Sequence, residues 1–309
     1  MAEVESYFDP EKPGTMCRVK EEIKEKFGES IGDNTVRRDL LAFMKNTIAP
    51  VEVIKKLNPG LSGLIGVDGY HIELKPYKFV YLIAVNLPKE EEERKSFLIH
   101  SLLVKSEKKK DLVPFLEAIR DTLNYYPTMV VCDRSAAWIG SIRKVWPAAK
   151  IQVCCFHAQR TIDRKMPKRR LKRSQKKLKK LLLNVLYFKS QSRAMRKHRE
   201  IMRKTRSWVQ KSSRQAIRGV QRDLAMLHTH HNVPGAKKHN TNNTCEGTIS
   251  KISRQLKKPK CGIRKINFLE GLLRMLAVRD QHRRLKAEVD WILNSQKGKW
   301  TIKRRPETH

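Results

Sequence analysis

Three apolar runs follow one another with only short polar breaks between them: LIGVDGYHIEL (64–74), KFVYLIAVNL (78–87) and SFLIHSLLV (96–104). Their β-branched and aromatic content reads as strands, and breaks this short allow only turns, so an antiparallel meander is expected. The pattern then alternates. Leu112, Phe115, Leu116, Ile119 and Leu123 recur at helical spacing behind Asp111, which is placed to cap the helix with Pro114 in its first turn. TMVVCD (128–133) is a short buried strand ending in an acid, and a helix carrying Trp138, Ile139, Ile142, Val145 and Trp146 stops at Pro147. KIQVCCF (150–156) is the next strand. The order βββαβαβ predicts an α/β fold, a mixed sheet with helices on its faces.

On either side the pattern is helical. Residues 1–50 hold two short helices around a turn: Val19, Ile23 and Phe27 recur every four residues, Gly28 to Gly32 interrupt, and Val36, Leu40 and Phe43 resume behind Asp33 or Asn34. This has the outline of a helix-turn-helix whose second helix would carry Arg37 and Arg38 outward to DNA, and equally that of a plain helical hairpin with solvated charges. Residues 51–63, with Pro59, Gly60 and Gly63, read as a linker. From Arg160 to Arg222 there are 24 Lys or Arg against two acids, Asp163 and Glu200, yet Leu178, Leu181, Leu182, Val185 and Leu186 keep a helical period. A basic helical insertion over 160–227 therefore divides the sheet domain into 64–159 and 228–290. Residues 291–309 form a basic tail.

Over the whole chain 67 Lys and Arg face 31 Asp and Glu, a formal charge of +36. Such a surplus repels itself unless a polyanion relieves it, which makes nucleic acid the leading partner. No stretch approaches the roughly 18 apolar residues of a membrane span. The start, MAEVESYFDPEKPG, lacks the apolar core of a signal peptide, so an intracellular protein is expected: cytoplasmic or nucleoid-associated in a prokaryote, nuclear in a eukaryote. Six scattered cysteines fit reduced thiols.

Two acids stand where acids are costly. Asp68 interrupts an apolar strand and Asp133 ends another; burying a carboxylate costs several kcal/mol unless a partner or cation compensates it. A divalent cation is the simplest compensation, and Mg²⁺ suits one or two carboxylates with sites left for water and phosphate. Each also has a plain structural use, Asp68 in a turn at Gly69 and Asp133 as a helix cap. Glu246, in NTNNTCEGTISKISRQLKK, is the best-placed third acid, with Lys251 and Arg254 available to phosphate. An Asn243 cap with Glu246 three residues on is, alternatively, close to a capping box. Glu270 is the reserve.

GVDGYHIEL, VVCDRSAAWIGSIRKVWPAAKIQVCCFH and NTNNTCEG together resemble the Mutator-like (MULE-type) DDE transposases of the ribonuclease H-like superfamily, over roughly Leu64 to Arg284. The resemblance implies a ribonuclease H-like sheet interrupted by an all-helical insertion. It also implies a metal-binding triad of Asp68, Asp133 and Glu246, with Cys154 and His157 as an additional Cys-x-x-His element. The implied chemistry is phosphodiester hydrolysis and strand transfer with two Mg²⁺ or Mn²⁺ ions, on element-end and target DNA, by a homo-oligomer assembled on that DNA. Arg169, Arg170, Lys172 and Arg173 in the insertion would hold the phosphate backbone.

The run QVCCFH (152–157) admits other chemistry. A Cys-x-x-His pair is half of a tetrahedral zinc shell, and His228, His230, His231 and His239 are the concentrated supply of further ligands. If its strand lies beside that of Asp133, His157 instead reaches the acids and can bond a phosphate or orient a base, with Cys154 as a small buried support. Two other functions compete with the enzyme: a catalytically inactive transposase-derived DNA-binding or regulatory protein, and an RNA-binding protein. Few aromatics interleave with the basic run, which disfavours RNA stacking.

Overall fold

The computed structural model describes residues 49–74, 77–92, 96–167, 169, 171–205, 211–256 and 266–285. The helix-turn-helix-like segment with Arg37 and Arg38, Arg170, and the basic tail lie outside the described residues. In chain order the elements are α1 (Pro50–Leu57), β1 (Leu64–Leu74), β2 (Tyr77–Asn86), β3 (Phe97–Val104), α2 (Lys109–Leu123), β4 (Met129–Cys132), α3 (Ala136–Val145) and β5 (Lys150–Val153). They continue with α4 (Cys155–Lys165), α5 (Arg173–Leu186), α6 (Gln191–Lys204), α7 (Lys211–Leu227), a 3₁₀ turn (Thr229–Asn232), α8 (Asn243–Leu256) and α9 (Ile266–Leu285).

The five strands form one mixed sheet in the order β3-β2-β1-β4-β5. The meander is present, since β1–β2 and β2–β3 pair antiparallel, while β1–β4 and β4–β5 are parallel. This α/β architecture is compatible with a ribonuclease H-like fold. Strand alternation sends Ile65 and Val67 to one face, where α2 (Phe115, Leu116, Ile119) and α3 (Trp138, Ile142) cover them. On the other face Leu64, Tyr81 and Met129 meet α8 (Cys245, Ile249, Ile252) and α9 (Leu269, Leu273).

Helices α4 to α7 build a core of their own around Ile162, Leu178, Leu182, Val185, Ile217 and Leu224. Basic residues fill the outward positions, so charge and helical period coexist.

Three sequence expectations need correction. The stretch expected as linker holds α1, whose Val51, Val53 and Ile54 are buried, because the short helix has one apolar face to hide beneath α2 and β3. Helix α2 begins at Lys109 after an extended Lys108, so Asp111 lies inside the first turn rather than at the cap and Pro114 lies beyond that turn. The strand expected through Phe156 stops at Val153; Cys154 turns the chain and α4 begins at Cys155. Strand alternation therefore does not govern where Cys155 and His157 point.

Candidate active site

Register brings the first two acids together. Gly66 on β1 lies opposite Val131 on β4 in a parallel pair, so two residues further Asp68 and Asp133 stand level on neighbouring strands. Asp68 is buried at 6% exposure, and its Oδ1 accepts the Gly69 N–H at 2.8 Å. Burial, then the nearby Asp133, push its carboxyl up to about 7 against the lowering effects of Gly69 and His157; Glu246 raises it further.

His157 enters from the next strand over. Cys154 N–H donates to Cys132 O at 2.9 Å, which continues the β4–β5 pairing past the strand end, and His157 falls in the first turn of α4. Its Nδ1 lies 2.7 Å from Asp133 Oδ1 and its Nε2 lies 3.6 Å from Glu246 Oε1. The approach to Asp133 is close but not aligned as a hydrogen bond. Burial alone would lower the imidazole, but Asp133 and Cys154 outweigh it and push it up to about 10. His157 is thus an imidazolium set between two carboxylates.

Glu246 is delivered by a pinned helix start. Asn242 Nδ2 donates to Val67 O on β1 at 2.8 Å, Asn242 N–H donates to Cys154 Sγ at 3.2 Å, and Asn242 O accepts the Glu246 N–H at 3.1 Å. Helix α8 thereby begins one residue earlier than a capping box on Asn243 requires, and Glu246 Oε1 accepts no hydrogen bond. Gly66 makes the approach possible: a Cβ there would lie 2.8 Å from Cys245 Sγ and 2.9 Å from Asn242 Oδ1. Gly66→Ala should therefore push α8 away from β1, lowering stability by about 1–3 kcal/mol. A thermal or urea midpoint equal to the parent's would show that α8 gives way without strain.

Several residues that pattern alone did not single out belong to this neighbourhood. Glu107, between β3 and α2, accepts from Trp138 Nε1, pairs with His71 Nε2 at 3.6 Å and has its carboxyl raised by burial, with a smaller contribution from Asp133. Its sequence setting, SEKKKD, looks like a solvated charge run. Asn242 was hidden in an Asn-rich loop whose composition suggested only turns.

The His-rich stretch does not converge on Cys154 and His157. His228 and His231 bond Val185 O and Phe188 O through Nε2 at 2.9 and 2.8 Å, His230 bonds Gln152, and His239 bonds Pro88 O. The first three of these rings tie the end of α5 to β5. Cys132, Cys154, Cys155 and Cys245 are buried free thiols.

Of the expected DNA contacts, Arg169, Lys172 and Arg173 are exposed at the entry to α5, and Lys251 and Arg254 are exposed on α8. A further stripe appears on α6, where exposed Arg193, Arg196, Arg199 and Arg203 recur at helical spacing.

Among the described residues no group of three or more His, Cys, Asp and Glu is set closely enough to hold a metal ion as it stands. The donor chemistry nonetheless suits a hard cation. Asp133 Oδ1 and Glu246 Oε1 are buried without hydrogen-bond partners, Asp68 is crowded by both, and His157 already supplies positive charge between two of the acids.

No helix among the described residues is long and apolar enough to cross a membrane. No curated protein matches the chain. Residues 78–161 match the family model described as the MULE transposase domain, an interval that runs from β2 through Asp133 and His157 and ends before Glu246.

Proposed function

From a chain whose MULE domain supports its place in the Mutator-like transposase family, we propose a DDE-type DNA transposase that hydrolyses a phosphodiester at element ends and transfers the freed strand. The observation that carries this reading is the convergence of Asp68, Asp133 and Glu246 around His157, from β1, the end of β4 and the start of α8. Asp68, Asp133 and Glu246 would hold two Mg²⁺ or Mn²⁺ ions, which when bound supply positive charge to the attacking and leaving oxygens.

In this reading His157 does two things. Without metal it keeps the acids apart from one another's full repulsion. With DNA present it is placed to donate a hydrogen bond to a phosphate oxygen or to orient the nucleophile. Cys154 stays a buried support, holding the Asn242 backbone.

DNA would lie on exposed basic helices, held by its phosphates and therefore without reading sequence. Gln at Arg169, Arg170, Lys172 and Arg173 together should weaken binding to all duplexes alike, and flatten the salt dependence by nearly one unit for each phosphate that is no longer neutralised. The same substitution of Arg193, Arg196, Arg199 and Arg203 tests the α6 stripe. An unchanged salt slope in either quartet would show that those charges form a solvated face only.

The deciding experiment incubates the protein with the DNA that flanks its own gene and Mg²⁺ or Mn²⁺, and looks for nicked and strand-transfer products. Binding without either product would leave a DNA-binding derivative that has kept the fold and lost the reaction.

A further inference from the structure

Arg134 follows Asp133 directly in the chain, yet its side chain turns away from the acids into the helical segment. Its Nε pairs with Asp223 on α7, and its Nη2 donates to Gly219 O, also on α7, at 3.0 Å. Asp223 is almost wholly buried, with 4% of its side chain exposed. The guanidinium is thus held on α7, in a crevice also lined by Ala158 and Thr161 of α4, the helix that carries His157.

Gly219 has no other evident reason to be glycine. It sits inside a helix, where Gly is the poorest residue after Pro. A Cβ at this position would lie 2.9 Å from Arg134 Nη2 and 3.2 Å from Nη1. The absent side chain is the space the guanidinium occupies. A buried ion pair of this kind adds little to stability compared with apolar packing, and its best use is to fix one arrangement over others.

We infer that Arg134 is a positioning residue, and that its clamp by Asp223 and Gly219 sets Asp133 against His157, so that the seating of α7 controls the geometry of the acid site. The inference rests on the metal-dependent reading of that site. Arg134 holds the backbone one residue from Asp133, and α7, to which it is clamped, packs against α4, the helix that carries His157. Displacing α7 would move both partners of the 2.7 Å Asp133–His157 pair.

Gly219→Ala separates this role from a merely structural one. The substitution gains helix propensity and loses to crowding of the guanidinium, so the two largely offset in stability while only the crowding reaches the site. Three quantities are read on the full chain: the thermal midpoint, Mn²⁺ affinity by electron paramagnetic resonance, and Mn²⁺-dependent nicking of a supercoiled plasmid.

The expected result is a midpoint close to the parent's, Mn²⁺ binding weakened about tenfold, and nicking reduced ten- to hundredfold with plasmid binding unchanged. In an Arg134→Lys background, which lacks the crowded Nη atoms, adding Gly219→Ala should have no further effect on nicking. That cycle stays informative if either single variant loses stability. Normal Mn²⁺ binding and nicking in Gly219→Ala overturn the inference. A parent that neither binds Mn²⁺ nor nicks DNA overturns the metal-site reading itself, and the inference with it.

Discussion

Asp68→Asn, Asp133→Asn and Glu246→Gln each reduce metal-dependent DNA cleavage by on the order of a thousandfold or more, with DNA affinity unchanged or slightly higher. Each removes a carboxylate that nothing else in the site replaces, and each takes a negative charge away from the path of a phosphate. Asp68→Asn has a second signature, readable without DNA. Because burial and Asp133 raise the Asp68 carboxyl to about 7, folding favours its protonated form. Its contribution to stability is complete below the ordinary carboxylate range, near pH 4, and disappears as pH rises through 7. The parent should lose thermal stability across that window, and Asp68→Asn should lose less and exceed the parent at pH 8 without metal. Mg²⁺ should then restore the parent and not the variant. If Glu246→Gln cleaves normally, Glu246 has no part in the reaction. Glu270 would be a poor substitute, being tied to Arg274 at 2.7 Å on α9, and Glu107 becomes the acid to examine.

His157→Ala should abolish strand transfer and also destabilise the metal-free protein at neutral pH. Against the lowering effect of burial, Asp133 and the Cys154 thiol push the imidazole up to about 10, so it contributes stability that is fully present below its ordinary pKa and lost as pH rises through 10. Removing it at pH 7 leaves Asp133 and Glu246 facing one another without a counter-charge, at a cost of a few kcal/mol. Added Mg²⁺ should recover much of the midpoint without recovering strand transfer, since a cation replaces the charge and not the hydrogen bond. Recovery of both by metal would reduce His157 to a counter-ion. A parent-like midpoint before metal would mean that the 2.7 Å approach to Asp133 contributes nothing. Cys154→Ser should be mild by comparison, because a hydroxyl can also accept from the Asn242 N–H and meet the imidazole as its Sγ does.

What could be read from residues alone divides along a physical line. The three strands of the meander and the two that follow were legible because burial on both faces leaves long apolar runs, and Asp68 and Asp133 stood out because such runs do not tolerate acids. Glu246 was legible as a candidate only because those two acids call for a third, and through a family resemblance; alone it reads as a capping residue. The end of β5 was not: VCCF is as apolar as a strand and as a helix start, and what decides is the bond from the Cys155 N–H to Asn240 O, made by a distant loop. Helix α1 was missed because its Pro and Gly neighbours punctuate like a linker. Glu107, Asn242 and Arg134 were invisible for a shared reason. Each is an ordinary polar residue locally, and each acquires its role from a partner far away in sequence, as when Asn242 binds Val67 O across 175 residues.

That last separation has a consequence in time. Asp68 and Asp133 leave the ribosome early and can pair across β1 and β4 as soon as the sheet forms, while the start of α8 follows only after all of α5, α6 and α7 have been made. Closing so long a loop costs entropy that only the finished packing recovers. A nascent chain therefore carries DNA-attracting charge well before it carries a complete set of acids. On the proposed reading, synthesis order alone withholds the third acid until the helical segment has been made.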